Sequence, residues 1–213
     1  MQHPVFARVW SRISARVGSE RQRSELLAGL DGRVIEVGAG DGRNFAHYPP
    51  KVSEVLAVEP EAYLRGLARN AARTAPVQVT VLDGNAELLA VEDGAFDAAI
   101  SSLVLCSVLD QETALAELHR VLAPGGQLRF FEHVVAEQSF ARTVQSKLDD
   151  SGVWPHLAGG CHLARDTVGT IAAAGFTIER MRRFTSGPGP LGVPFVLGAA
   201  RRTPISPEPH LPG

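Results

Sequence analysis

The segment Val34-Ile35-Glu36-Val37-Gly38-Ala39-Gly40-Asp41-Gly42-Arg43-Asn44-Phe45 constrains this chain more than any other, because a short apolar run passes directly into three alternating glycines. Glycine lets the backbone turn sharply and approach a ligand without a Cβ in the way. A helix opening just beyond the turn would offer free N–H groups to a polar or anionic ligand. The segment therefore reads as strand, tight turn and helix, the entrance to a nucleoside-type site in an α/β sheet. Dinucleotide folds use the related spacing G-x-G-x-x-G, which needs glycine at 43, where this chain has Arg43. A lone glycine triplet also occurs in ordinary turns, so the reading depends on the rest of the chain.

The downstream pattern agrees. Short apolar runs at 33–37, 54–58, 77–82, 96–101 and 127–132 alternate with helical stretches, of which Gln111 to Leu122 is the clearest, striped by Leu115, Leu118, Val121 and Leu122. Asp166 to Ala174 reads as a helix stopped by Gly175, and 176–184 with 195–201 as a closing hairpin around a Gly- and Pro-rich loop at 187–194. This order predicts an α/β fold: a doubly wound, mostly parallel, seven-stranded sheet with helices on both faces and right-handed crossovers. Residues 1–30, apolar at roughly helical spacing from Val5 onward, are expected to form an N-terminal helical segment packed on the core. Residues 31–202 form the single domain, and 203–213, with four prolines, a disordered tail.

Composition narrows the function classes. With 45% hydrophobic and 21% charged residues among 213, the chain has the make-up of one globular domain. A net charge of −2 with scattered Lys and Arg predicts no nucleic-acid partner. No stretch approaches the ~20 apolar residues of a membrane span, and Met1 to Ser11 lacks the apolar run of a secretory signal. No integral membrane segment and a cytoplasmic location are therefore expected. Cys106 and Cys161 are the only cysteines, expected as free thiols in a reducing compartment. Cys161, His162 and His156 fall short of the four ligands of a closed zinc site, so no metal is expected.

Glu59 ends the next apolar run roughly 20 residues beyond Gly38, where doubly wound sites place a carboxylate on ribose hydroxyls. Three further segments come in order: Asp83-Gly84-Asn85-Ala86-Glu87, Phe96-Asp97-Ala98-Ala99-Ile100-Ser101-Ser102-Leu103 and Leu122-Ala123-Pro124-Gly125-Gly126. Together with Glu36 ahead of the glycines, these resemble the class I S-adenosylmethionine-dependent methyltransferases. The resemblance implies the Rossmann-like methyltransferase fold, S-adenosylmethionine as cofactor and a small-molecule methyl acceptor. It also implies a cofactor site drawn from Glu36, Gly38, Ala39, Gly40, Asn44, Glu59, Pro60, Gly84, Asn85, Ala86, Ser102 and Leu103. At 85 the family usually has an acid that takes the adenine amino group; the side-chain carbonyl of Asn85 can accept the same hydrogen bond.

The likeness narrows at Asn44-Phe45-Ala46-His47-Tyr48-Pro49, Leu103 to Val108, Phe131-Glu132-His133-Val134 and Gly160-Cys161. Over about Gly32 to Phe184 the chain is similar to the methyltransferase-like subfamily whose membrane-associated members methylate alkyl thiols. Their apolar N-terminal anchor is missing here, so membrane attachment is not carried over. A hydrophobic thiol is the acceptor this implies. A hydroxyl, an amine or a ring carbon stay open as alternatives, as does a module that binds the cofactor without turnover. Glu132 and His133, just past the fifth apolar run, are the candidates to orient or deprotonate the acceptor; the plainer reading makes them a helix cap and an ordinary polar residue. Cys106 reads as a small buried residue rather than a nucleophile, since methyl transfer from a sulfonium needs no covalent intermediate. Trp154 and Phe140, with the apolar residues between Val144 and Leu163, form either a lid over the acceptor or ordinary helix packing. Oligomeric state has no signal in the sequence.

Overall fold

The computed structural model describes residues 19–186 and 192–203. Helix α1 (Glu20–Leu27) precedes β1 (Gly32–Val37), followed by a single 3-10 turn at Phe45–His47, β2 (Val52–Val58), α2 (Ala62–Ala72) and β3 (Val79–Leu82). The second half runs β4 (Phe96–Ser102), α3 (Gln111–Val121), β5 (Leu122–His133), α4 (Ser139–Asp150), α5 (Val153–Leu157), α6 (Thr167–Ala173), β6 (Phe176–Ser186) and β7 (Val193–Arg202). The seven strands form one sheet in the order β3-β2-β1-β4-β5-β7-β6. Pairing is parallel from β3 through β5, and β7 then inserts antiparallel between β5 and β6. The strand order reverses between β1 and β4, and the crevice outside their carboxyl ends is where doubly wound sheets bind ligands.

Both faces of the sheet are covered, which is why the central strands read as unbroken apolar runs. Ile35, Val37, Ala99, Leu128 and Phe130 pack with Leu115 and Leu118 of α3 and Ile171 of α6. Val34, Ala57, Ala98, Ile100 and Phe131 pack on the other face with Leu26 and Leu27 of α1, with Phe45, and with Ala68 of α2. Because side chains alternate along a strand, Glu36 points to the face with α1 and Phe45, and the neighbours Glu132 and His133 point to opposite faces.

Several expectations are corrected. The helix expected after the glycine turn is one 3-10 turn, because Pro49 and Pro50 follow at once and proline removes the donors and the α conformation that propagation needs. Strand β5 begins at Leu122, straight out of α3, and Pro124-Gly125-Gly126 lie inside it, where the register with β4 shifts. Strand β7 begins at Val193, so Pro194 belongs to the strand and not to the loop expected at 187–194. Thr203 is no part of a loose tail: its N–H and hydroxyl both donate to the Gly175 carbonyl at 3.0 and 2.6 Å. Residues 1–18 and 204–213, on which the remaining N- and C-terminal expectations fall, lie outside the described residues. Among the described residues no helix is long and apolar enough to cross a membrane.

Candidate active site

Gly38 and Gly40 have φ of 60° and 58° at the carboxyl end of β1, a left-handed backbone that L side chains rarely adopt. A Cβ on Gly38 would come within 2.3 Å of Val104 Cγ2, so this turn packs directly on the loop after β4. A Cβ on Gly40 would meet nothing within 4 Å and would project into open space. The intervening Ala39 is buried, its N–H donating to the Val58 carbonyl at 3.1 Å.

Glu59, at the end of β2, closes this turn from the side. Its Oε2 accepts from the Gly40 N–H at 2.8 Å and its Oε1 from the Glu61 N–H at 2.9 Å. Burial pushes its carboxyl above the ordinary range, and the two backbone donors pull it back. Arg65 fixes the following peptides, donating from Nη1 to the carbonyls of Glu59 and Pro60 at 2.9 and 3.0 Å. A carboxylate has about four lone-pair positions, so two of them are left to receive a diol at the turn.

Glu36 is buried and hydrogen-bonded at both oxygens. Asn44 Nδ2 donates to its Oε1 at 2.7 Å and the Tyr48 hydroxyl to its Oε2 at 2.6 Å, while Arg23 Nη1 of α1 donates to Asn44 Oδ1 at 3.0 Å. Burial lifts the Glu36 carboxyl to about 7 against the pull of these two donors. Glu36 and Asn44, expected as cofactor contacts, hydrogen-bond each other on either side of the glycine turn. Asn85 is similarly engaged: its Oδ1 accepts from the N–H groups of Glu87 and Leu88 at 3.1 and 3.0 Å, capping its own turn beside Gly84 and the buried Ala86.

The loop after β4 is held by Glu132. Its Oε1 accepts from Ser101 Oγ at 2.7 Å, and both oxygens accept from the Val104 N–H at 3.1 Å. Fully buried, its carboxyl is raised to about 7 by desolvation, opposed by Ser101 and the backbone donors of 104–106. These bonds secure Leu103, which follows Ser102 and is the one non-glycine residue with positive φ (61°) among the described residues. Such backbone strain persists only where neighbours over-determine it.

His133 is buried like Glu132 but lacks its set of hydrogen-bond partners. It is 3% exposed, and neither ring nitrogen has a hydrogen-bond partner. Its ring stands edge-on to Phe195 at 5.8 Å and 80°, at the rim of an aromatic wall in which Phe131, Phe184 and Phe195 stack. On its other side lies Cys161, whose thiol faces that of the buried Cys106 and neighbours Trp154. Among the described residues no three His, Cys, Asp or Glu side chains are placed to share a metal ion.

The family described as methyltransferase domain matches residues 35–130. Mouse thiol S-methyltransferase TMT1B is 34% identical over 180 residues, which cover 81% of this chain and 72% of that protein. Human thiol S-methyltransferase TMT1A is 36% identical over 158 residues, 71% of this chain and 63% of its own length. The chain belongs to this family of S-adenosylmethionine-dependent methyltransferases. A solved S-adenosylmethionine-dependent methyltransferase from Methanosarcina mazei shares the fold of this methyltransferase, with a TM-score of 0.64 at 19% identity over 84% of this chain and 96% of that one.

The residues of the crevice fit S-adenosylmethionine, the cofactor of the family. Open space in front of Gly40 leaves room for its backbone-facing end, and Glu59 stands at the turn with unfilled acceptor positions. Sequence reasoning missed Tyr48 and Arg23 as supports of this methyltransferase's glycine turn, and it missed the facing of Cys106 and Cys161. Tyr48 is visible in the sequence only as one letter of a motif, and no local pattern announces a hydroxyl that reaches back twelve residues to Glu36.

Proposed function

We propose that this methyltransferase methylates a small hydrophobic thiol and that His133 receives the thiol proton. The observation that carries this reading is the buried imidazole of His133 at the carboxyl edge of β5, whose ring nitrogens find no oxygen or nitrogen partner and have only the Cys161 thiol beside them. Leaving a buried polar group without a partner costs roughly 1–3 kcal/mol, so a ligand that supplies the missing contact accounts for it. An ordinary thiol, with pKa near ~8.5, gives up its proton to a neighbouring base far more readily than an alkyl alcohol does.

Bound S-adenosylmethionine supplies a methyl group that is already electrophilic. The chain's own part is then positioning: Glu59 and the Gly38–Gly40 turn hold the cofactor, Glu132 fixes the backbone at Leu103 and Val104, and the aromatic wall keeps water from the acceptor. Trp154, partly exposed on α5 beside Cys161, suits an apolar acceptor. The relatives named as thiol S-methyltransferases support the same choice. Two free cysteines suit the reducing cytoplasm.

The test is a pair of matched alkyl acceptors, thiol and alcohol, incubated with S-adenosylmethionine between about pH 6 and 8, with product mass measured. The thiol is expected to react faster, and His133→Asn to slow it most at the low end, where less thiolate exists without a base. Equal or faster methylation of the alcohol would overturn the assignment.

A further inference from the structure

Cys106 and Cys161 belong to no step of methyl transfer, yet the fold brings them face to face from positions far apart in the chain. The His162 N–H donates to the Cys106 carbonyl at 2.8 Å, and the neighbouring Gly160 lies so close to the Ser107 carbonyl that a Cβ there would stand 3.2 Å away. The two segments are therefore clamped side by side. Both thiols are free, but their settings differ: Cys106 is buried at 2% exposure beside Ser107, whereas Cys161 is half-buried. Around Cys161 stand His133, whose ring approaches the thiol, Trp154 and Arg165, the last anchored by Nη1 on the Leu105 carbonyl at 2.8 Å. The facing Cys106 thiol and His133 push the Cys161 thiol down, while Cys161 and burial push Cys106 up. A half-buried thiol that ionises more readily, backed by a fully buried one, is the division of labour that thiol–disulfide exchange requires.

We propose that Cys161 and Cys106 are the attacking and resolving thiols of an exchange site for small hydrophobic disulfides. The Cys161 thiolate attacks one sulfur of R–S–S–R′; that S–S bond breaks, RS⁻ leaves with its electron pair, and a Cys161–S–S–R′ mixed disulfide forms. Cys106 then attacks Cys161 Sγ, its proton passes to the departing sulfur, and R′SH leaves behind a Cys106–Cys161 disulfide. Two electrons move from the protein to the substrate, and a small dithiol returns the pair to its reduced state. Trp154 beside Cys161 selects for hydrophobic groups. A thiol released here emerges beside His133, so the exchange rests on the thiol-methylation reading for its purpose and supplies the kind of acceptor that reading requires.

The chain has only these two cysteines, which makes the test simple. The full chain, reduced and freed of reductant, is mixed with 2,2′-dithiodipyridine without S-adenosylmethionine, and thiopyridone release and protein mass are followed. Wild type is expected to release two equivalents and to end two hydrogens lighter, with no adduct. Cys106→Ser is expected to release one equivalent and to carry a stable adduct on Cys161, and Cys161→Ser to react at least about tenfold more slowly. Two persisting adducts on wild type, or undiminished reaction of a Cys161→Ser variant with wild-type circular dichroism, would overturn the proposal. Methylation of an alkyl thiol by wild type is measured separately, so exchange without methylation removes only the acceptor reading, and methylation without exchange removes only this one.

Discussion

Glu59 is the residue expected to matter most to cofactor binding, since its buried carboxylate closes the glycine turn at Gly40 and keeps acceptor positions that its two backbone donors leave unfilled. Glu59→Ala should weaken S-adenosylmethionine binding by about 1.5–3 kcal/mol, the range for hydrogen bonds to a charged group, in a calorimetric titration with unchanged circular dichroism. Unchanged affinity in the folded variant would remove Glu59 from the site. Glu132 answers to pH instead. Its folded carboxyl is raised to about 7, so between its ordinary value and 7 the folded state binds more protons than the unfolded one. Stability from this group is therefore full at low pH and falls as pH rises through that window. Glu132→Gln keeps an oxygen for the Val104 N–H but cannot ionise. Relative to wild type it should gain about 3 kcal/mol between roughly pH 4.5 and 7.5 in urea unfolding. Parallel pH curves for the two proteins would refute the buried, raised carboxyl. The place of Glu59 beside the glycine turn was legible in the sequence because one fixed offset from the glycines predicts it. The Cys106–Cys161 juxtaposition was not, because it depends on how two loops are clamped across the crevice.

At the scale of elements, the glycine turn stands without the long helix that a strand–turn–helix reading supplies, and the 3-10 turn at Phe45–His47 takes over its anchoring. The hydroxyl of Tyr48 and the amide of Asn44, on either side of that turn, meet at Glu36, and Arg23 ties the assembly to α1. Tyr48→Phe removes one donor from a buried carboxylate and should cost about 1–3 kcal/mol in urea unfolding. An unchanged midpoint would show that the hydroxyl holds nothing. The strands were readable because a parallel strand buried on both faces shows as a plain apolar run, as at Val34 to Val37 and Phe96 to Ser101. Helix α4 carries Phe140, Val144 and Leu148 at four-residue spacing yet buries none of its side chains, so the stripe alone did not tell what the helix packs against. The helix expected after the glycines is missing because Pro49-Pro50 outweigh the motif that suggests it.

For the whole molecule, the reversal of strand order between β1 and β4 gathers Gly40, Glu59, Leu103 and His133 on one edge of the sheet, although they come from four different strand ends. Cofactor binding should therefore stabilise the fold as a unit. At a free concentration of S-adenosylmethionine about 100 times its Kd, linkage gives about 2.7 kcal/mol, or roughly 5–10 °C in a thermal scan of a domain this size. A nicotinamide dinucleotide should give no shift, since Arg43 stands where its spacing needs glycine. The reverse pattern would contradict the cofactor site. The opposite edge of the sheet has its own practical meaning. There Thr203 is pinned to the Gly175 carbonyl and its own carbonyl meets His119 Nε2 at 3.1 Å. At about 3.3 Å per residue, the length of a strand sets that anchor some ~20 Å from the glycine turn. A linker to a solid support attached beyond Thr203 would hold each molecule by its closed end and leave the reactive end facing the solution.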